Sequence, residues 1–256
     1  VLRDAASARA RIAEGIDAVA PGLLWMERTR TIVAADAHLA YEDVIGGALP
    51  TWSTNDAIAV LESAARRLEA REILFLGDII HGSRMSEGAA QDVQAGLERL
   101  RAVAAVTLVA GNHEGRSRGA DVLGETVEFA ERSDWLLIHG DRSCVGERVI
   151  IGHLHPSVRS NGTSAPAFLF GAQIIVVPAL TGYSDGLNIC SDDCFEAVKA
   201  FGVRSRDELQ VVAATADLVY PLGSLSELQQ ELRRPTTQTS GPTRYGYRRK
   251  FLRPDR

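Results

Sequence analysis

An α/β sandwich is the fold class this sequence predicts. Between residues 29 and 113, apolar runs rich in β-branched residues alternate with segments of helical periodicity. Beyond that stretch the chain is mostly β-type, and alternation followed by a β-rich run points to packed α/β layers rather than an all-β barrel. With 256 residues, 45% hydrophobic and 24% charged, the chain holds enough apolar material for one large domain or two small ones.

The elements follow in order. Residues 3–19 are good helix formers and are expected to form an N-terminal helix, an extension spanning 1–20 and ended by Ala20-Pro21-Gly22. The run 29–38 reads as a buried strand, and 55–70 as a helix opened by Asn55 or Asp56 with apolar residues at helical spacing. Residues 72–78 form the next strand, 87–103 the next helix, and 105–113, 134–141 and 147–155 three further strands. Residues 167–180 and 209–222 complete the β content. The main domain is expected over 21–231, and the low-complexity stretch RRPTTQTSGPTRYG leads into a flexible or docking tail over 232–256.

Composition excludes several classes. No apolar stretch approaches the roughly 20 residues of a membrane span. The charged, Ala-rich N-terminus lacks the apolar centre of a secretory signal. Three cysteines (Cys144, Cys190, Cys194) are an odd number, which argues for a reducing, cytoplasmic setting and against a disulfide scaffold. Cys190 and Cys194 read as packing residues. The net charge of −5 is unevenly spread, because residues 233–256 carry eight Arg or Lys against one acid, a balance of +7 that leaves −12 elsewhere.

The polar residues carry the functional signal. The first five predicted strands each end in metal-type ligands beside a glycine or alanine: Asp36 and His38; Asp78 and His81; Asn112 and His113; His139 with Asp141; His153 and His155. All six histidines lie in these clusters, at the strand ends where open α/β sheets collect their ligands. In an extended Gly-His-Leu-His segment, His153 and His155 share one face while Leu154 turns to the core. Gly152 admits a close neighbour, and Pro156 ends the regular structure. Carboxylates, a carboxamide and imidazoles without thiolates suit Mn²⁺, Fe²⁺ or Zn²⁺. So large a set of ligands is too many for one open site and suits two metal ions, which in paired sites lie roughly 3.5–4 Å apart and clamp a phosphoryl group.

Taken in order, Asp-Ala-His (36–38), Gly-Asp-Ile-Ile-His (77–81), Gly-Asn-His-Glu (111–114), His-Gly (139–140) and Gly-His-Leu-His (152–155) resemble the five motifs of the calcineurin-like metallophosphoesterases. The resemblance covers roughly residues 23–190. It implies a four-layer α/β/β/α sandwich and hydroxide-mediated phosphodiester hydrolysis at two divalent ions, Mn²⁺ first among them. By the same match Asp36, His38 and His155 hold one ion, Asn112, His139 and His153 the other, and Asp78 bridges. His113 is the histidine that steadies or protonates the leaving oxygen.

Within the superfamily, Gly-Asp-Ile-Ile-His-Gly-Ser departs from the Gly-Asp-x-Val-Asp-Arg-Gly of the Ser/Thr protein phosphatases. Asp-x-x-His, ending on His81, resembles the SbcD-type DNA repair nucleases, where that histidine helps to place the scissile phosphate. The remaining sequence looks more like the small bacterial and archaeal phosphoesterases, including the DNA-ligase-associated ones. The substrate expected is therefore a phosphodiester, nucleic acid first and a nucleotide or similar metabolite as the alternative; a non-catalytic scaffold is disfavoured by the presence of both Asp78 and His113. Arg116 is a candidate phosphate contact. The tail, with Tyr and Phe interleaved among cations, has the composition of a single-stranded DNA contact. A homodimer is the other assembly considered.

Overall fold

The computed structural model describes residues 6–46, 51–82, 85–113, 118–144, 147–160, 162–183 and 186–233. The first sheet is formed by β1 (Arg9–Ala13), β2 (Ile16–Val19), β3 (Leu23–Met26), β4 (Thr31–Ala35), β5 (Glu72–Leu76) and β6 (Ala105–Val109), hydrogen-bonded in that order. β1 to β4 run antiparallel to their neighbours, whereas β4, β5 and β6 are parallel. Before β5 the chain forms α1 (Tyr41–Ile45) and α2 (Trp52–Leu68); between β5 and β6 lies α3 (Glu87–Arg101).

After α4 (Arg118–Leu123) the chain builds a second sheet from β7 (Ala130–Arg132), β8 (Trp135–Ile138), β9 (Val149–Ile151), β10 (Pro156–Ser160), β11 (Thr163–Phe170), β12 (Ile174–Val176) and β13 (Leu187–Asn188). Its order is β13-β10-β11-β12-β9-β8-β7. Beyond α5 (Asp192–Lys199), β14 (Gln210–Ala214) pairs with both β11 and β15 (Val219–Ser224), and α6 (Leu225–Arg233) ends the described chain.

Strand alternation generates the layers. Ile32, Ala34, Ile73 and Phe75 face Ile58, Leu61, Val93 and Leu97 of α2 and α3. The intervening Val33, Ala35, Leu74 and Leu76 face Leu137, Ile150, Phe168 and Ile175 of the second sheet. On that sheet's far side, Val149, Ile151, Leu169 and Val176 pack with Cys194, Val198, Leu225 and Leu228 of α5 and α6. Both sheets are thus buried on two faces, which explains their continuous apolar runs. The result is the four-layer α/β/β/α sandwich, with Cys194 a packing residue whose thiol burial pushes up to about 12.

The helix expected over 3–19 is not formed. Residues 9–13 and 16–19 make a hairpin through Glu14-Gly15 and extend the first sheet. Ala and Arg are good helix formers, but propensity is a weak prior that tertiary context overrides, and the two-residue period of Arg9-Ala10-Arg11-Ile12 prevails, turning Ala10 and Ile12 to the core between the sheets. Arg11 pairs at 2.6 Å with Asp17, which is 2% exposed. The stretches 167–180 and 209–222 each divide, the first into the end of β11 and β12, the second into β14 and β15. Pro156 opens β10 rather than ending the sheet, a position a strand tolerates because its first residue can forgo the N–H bond. The tail over 234–256 and Arg116 lie outside the described residues.

At the end of the strands away from the ligand clusters, Glu72 fastens the two sheets. Its carboxylate accepts from Thr31 of β4 at 2.8 Å, Thr107 of β6 at 2.6 Å, and Arg132 of β7 at 2.8 and 2.5 Å. Burial pushes this carboxyl up, but the bonds from Arg132, Thr107 and Thr31 outweigh it and hold it below the usual range. A depressed carboxyl adds stability that is present above the unfolded value of about 4.3 and lost as pH falls through the lower folded value. Glu72→Gln should therefore lower unfolding free energy by roughly 2–3 kcal/mol at pH 7. The deficit should shrink in acid, as measured by urea denaturation of both proteins at pH 7 and near pH 3.

Candidate metal centre

The site lies where β4, β5, β6, β8 and β9 end. Each strand is apolar to its last residue, and the chain then turns sharply instead of continuing. Asp36 (φ 49°), His38 (φ 43°), Asp78 (φ 42°), His153 (φ 62°) and His155 (φ 43°) all take the left-handed backbone conformation. Such residues cost on the order of 1 kcal/mol or more each and persist where the surroundings over-determine them, most often at functional sites. The extended Gly-His-Leu-His reading therefore does not hold. β9 stops at Ile151, and the two imidazoles reach different partners rather than sharing one strand face.

Backbone bonds lace these turns together. His38 N–H donates to the Asp78 carbonyl at 3.0 Å, Leu39 N–H to Ile79 at 2.7 Å, and His81 N–H to Leu39 at 3.1 Å. Gly152 N–H donates to the His139 carbonyl at 2.9 Å. Two glycines permit the crowding. A Cβ on Gly152 would stand 2.7 Å from Asp36 Oδ2, and one on Gly77 (φ 75°) would stand 2.1 Å from His139 Nδ1. The close neighbour that Gly152 admits is thus the Asp36 carboxylate.

Two adjoining donor groups result. In the first, Asp36, His38 and His155 each offer an atom within 4.8 Å of the others; in the second, Asp78, His139 and His153 do the same. Asn112 Oδ1 lies 2.8 Å from His139 Nε2, which places it with the second group. The Asp78 carboxylate stands 3.4 Å from His139 Nε2, while its other oxygen accepts the His113 backbone N–H at 2.9 Å. His113 itself is at the rim, its side chain 40% exposed and its Nε2 3.7 Å from Asp78. His81 Nδ1 lies 3.1 Å from His38 Nδ1, and His38, His81 and His113 make a third cluster. All the ligand candidates and both histidines expected beside them are therefore brought together. Asp141 stands close enough to His153 for its charge to raise that ring, and it faces Arg142 at 3.9 Å.

The electrostatics suit a cation. Burial, then the neighbouring His155 ring, pushes His38 down to about 3. Burial also lowers His81 and His153, with His113 and His139 respectively adding to the effect. These rings are neutral near pH 7 and present lone pairs, as metal ligation requires. Burial pushes Asp78 up, but the bond and charge of His139 and the His113 N–H bring it to about 2. His139 is pushed down by burial and more than restored by Asp78 and Asp36, reaching about 9. Asp36 is fully buried, and its Oδ1 has no hydrogen-bond donor among the described residues. An orphan carboxylate oxygen in a cluster where His38, His81 and His153 are neutral and the raised ring of His139 is engaged by Asp78 is costly unless a cation meets it, so the residues fit divalent ions.

Three further residues stand against this site and were not singled out from the sequence. The Tyr41 ring meets His81 edge-on at 4.5 Å, Tyr183 stacks on Tyr41 at 4.6 Å, and Tyr183 OH donates to Glu42 at 3.2 Å. The available signal was position: Tyr41-Glu42 closely follows His38, and Tyr183 lies in the loop after β12 that Leu180 N–H ties to the Ala35 carbonyl at 2.8 Å.

Two comparisons with known proteins give matches. A family model described as calcineurin-like phosphoesterase matches residues 29–177. No curated protein sequence matches the chain. Among solved structures, the crystal structure of Pseudomonas putida nuclease MPE is similar, with a TM-score of 0.64 and 19% identity, covering 84% of this chain and 98% of that one. At that identity the likeness is one of fold.

Proposed function

Since the chain belongs to the calcineurin-like phosphoesterase family, we propose that it hydrolyses phosphodiesters, with single-stranded nucleic acid as the preferred substrate and Mn²⁺ as the preferred ion. The coarser activity, metal-dependent phosphoester hydrolysis, follows from the family and the paired His/Asp donor groups. The observation that carries the reading is the gathering of Asp36, His38, Asp78, His139, His153 and His155 into those two groups beside an exposed His113.

When bound, divalent ions polarise phosphoryl oxygens and acidify water. Asp36, His38 and His155 would hold one ion, Asn112, His139 and His153 the other, with Asp78 shared. The chain's own part is positioning and proton transfer. Asp78 fixes the backbone of His113, whose Nδ1 lies 3.3 Å from the His81 carbonyl. With that edge of the ring anchored, Nε2 is the atom that delivers a proton to the departing oxygen. His81, against both His38 and His113, steadies the phosphate at the rim.

Nucleic acid is supported by the exposure of His113 beside the two donor groups and by the fold shared with a protein described as a nuclease. A small phosphoester is the second reading. It is favoured by the neighbouring cavity of about 950 Å³ beside His139, where Glu128, Glu131, Asp134, Asp141 and Glu147 outnumber Arg28, Arg132 and Arg142, a net acidic lining that disfavours a polyanion.

Mn²⁺-dependent turnover of an aryl phosphodiester, an aryl phosphomonoester and labelled single-stranded DNA, measured side by side, tests the choice. Cleavage of the diester and of DNA is expected. Diester or monoester turnover with intact DNA would overturn the nucleic-acid reading in favour of a small substrate.

A further inference from the structure

The tyrosine pair beside the metal centre has the makings of a recognition surface. Tyr183 is 48% exposed, and its ring lies at 4.6 Å and 14° from that of Tyr41. Because Tyr41 covers one face, the exposed area falls on the other face and the edges. The pair is anchored at both ends. Tyr41 meets His81 at 4.5 Å, and His81 meets His38 at 4.9 Å, so a chain of ring contacts leads from Tyr183 to a candidate metal ligand.

At its far end, Tyr183 OH donates to Glu42, which is only 4% exposed. Glu42 is itself held by Ser53, through the backbone N–H at 2.8 Å and the hydroxyl at 2.6 Å. A buried carboxylate, locked by the first turn of α2, thus holds a surface tyrosine in one orientation. Packing alone does not call for such an arrangement, since the ring it secures remains half in water. Val44, Ile45 and Trp52, carried by the same two helices, are exposed as well.

We infer that Tyr183, backed by Tyr41 and oriented by Glu42, is a stacking subsite for a nucleobase of the substrate, next to the phosphate held at the metal centre. The inference rests on the nucleic-acid reading above and adds the part of the substrate that is gripped. A ring already stacked and tethered loses little freedom on binding. Aromatic stacking is also tolerant of base identity, so the subsite confers affinity for bases in general rather than for a sequence. Trp52 and Ile45 offer further apolar surface to a strand leaving the site along α1.

The test is a fluorescence titration of the full chain, in Mn²⁺, with a single-stranded oligonucleotide containing 2-aminopurine, whose emission falls when the base stacks. Wild type should bind with quenching. Tyr183→Leu should bind about tenfold or more weakly and without quenching, and Tyr183→Phe, which keeps the ring, should retain most of the quench. An abasic oligonucleotide with a terminal dye, followed by fluorescence anisotropy, should bind wild type and Tyr183→Leu alike. Cleavage of the same strand is scored separately. Quenching that depends on Tyr183 without cleavage would remove the nuclease reading and leave the subsite standing. Equal quenching and affinity in Tyr183→Leu, or no binding by wild type, would overturn the subsite.

Discussion

Asp78→Asn is expected to lower metal-dependent phosphoester hydrolysis by more than about a hundredfold, beyond the range typical of losing a group that merely supports a ligand. The side chain is 3% exposed, and no other carboxylate among the described residues stands within reach of both His139 and His113. Asparagine preserves the volume and can still accept the His113 N–H, so the fold should persist. What it removes is the negative charge that two cations would share and that holds the second donor group against His139. The measurement is turnover of an aryl phosphodiester together with bound metal per chain. Retained activity with a full metal complement would show that Asp36 alone anchors the centre. Loss of folding, read by circular dichroism, would mean that the Asp78–His139 contact is structural before it is catalytic.

His113→Ala should have the next largest effect, and a selective one. A positioned general acid contributes roughly 10²–10⁴ in rate where the leaving oxygen needs a proton. Esters whose leaving group is a stable phenolate need little of that help. The variant should therefore lose at least about a hundredfold in kcat on DNA or an alkyl phosphodiester, and much less on a nitrophenyl diester. KM should move little, because the imidazole stands at the rim and the ligand atoms lie behind it. Equal losses on both substrates would assign the ring to holding the phosphate instead of protonating the leaving group.

The contrast between what was and was not legible in the chain turns on local against non-local information. The ligand inventory was local. Carboxylates and imidazoles placed just after apolar runs are hard to explain as core or surface, and their recurrence at five strand ends carried the reading of both fold and centre. At the N-terminal hairpin two local signals conflict, the helix formers of 3–19 and the alternation of Arg9-Ala10-Arg11-Ile12. That choice was settled by β3, whose edge offers β2 a ladder of backbone bonds that an isolated helix could not match. The left-handed turns at Asp36, His38, Asp78, His153 and His155 had no signature either, since apolar periodicity predicts extended backbone through every one of them. Their crowding is admitted where Gly152 makes room for the Asp36 carboxylate and Gly77 for the His139 ring.

By itself, then, the sequence determined the class of fold, the two faces of each strand and the chemical kind of the centre, because side-chain type and two-residue alternation are properties of the chain alone. Tertiary structure decided which atoms meet: Asp36 with His155 at 3.4 Å, His81 with His38 at 3.1 Å, and Tyr183 with Glu42 across 141 positions. Those contacts join residues far apart in sequence, and only the packing of two sheets between helices brings their turns to one edge.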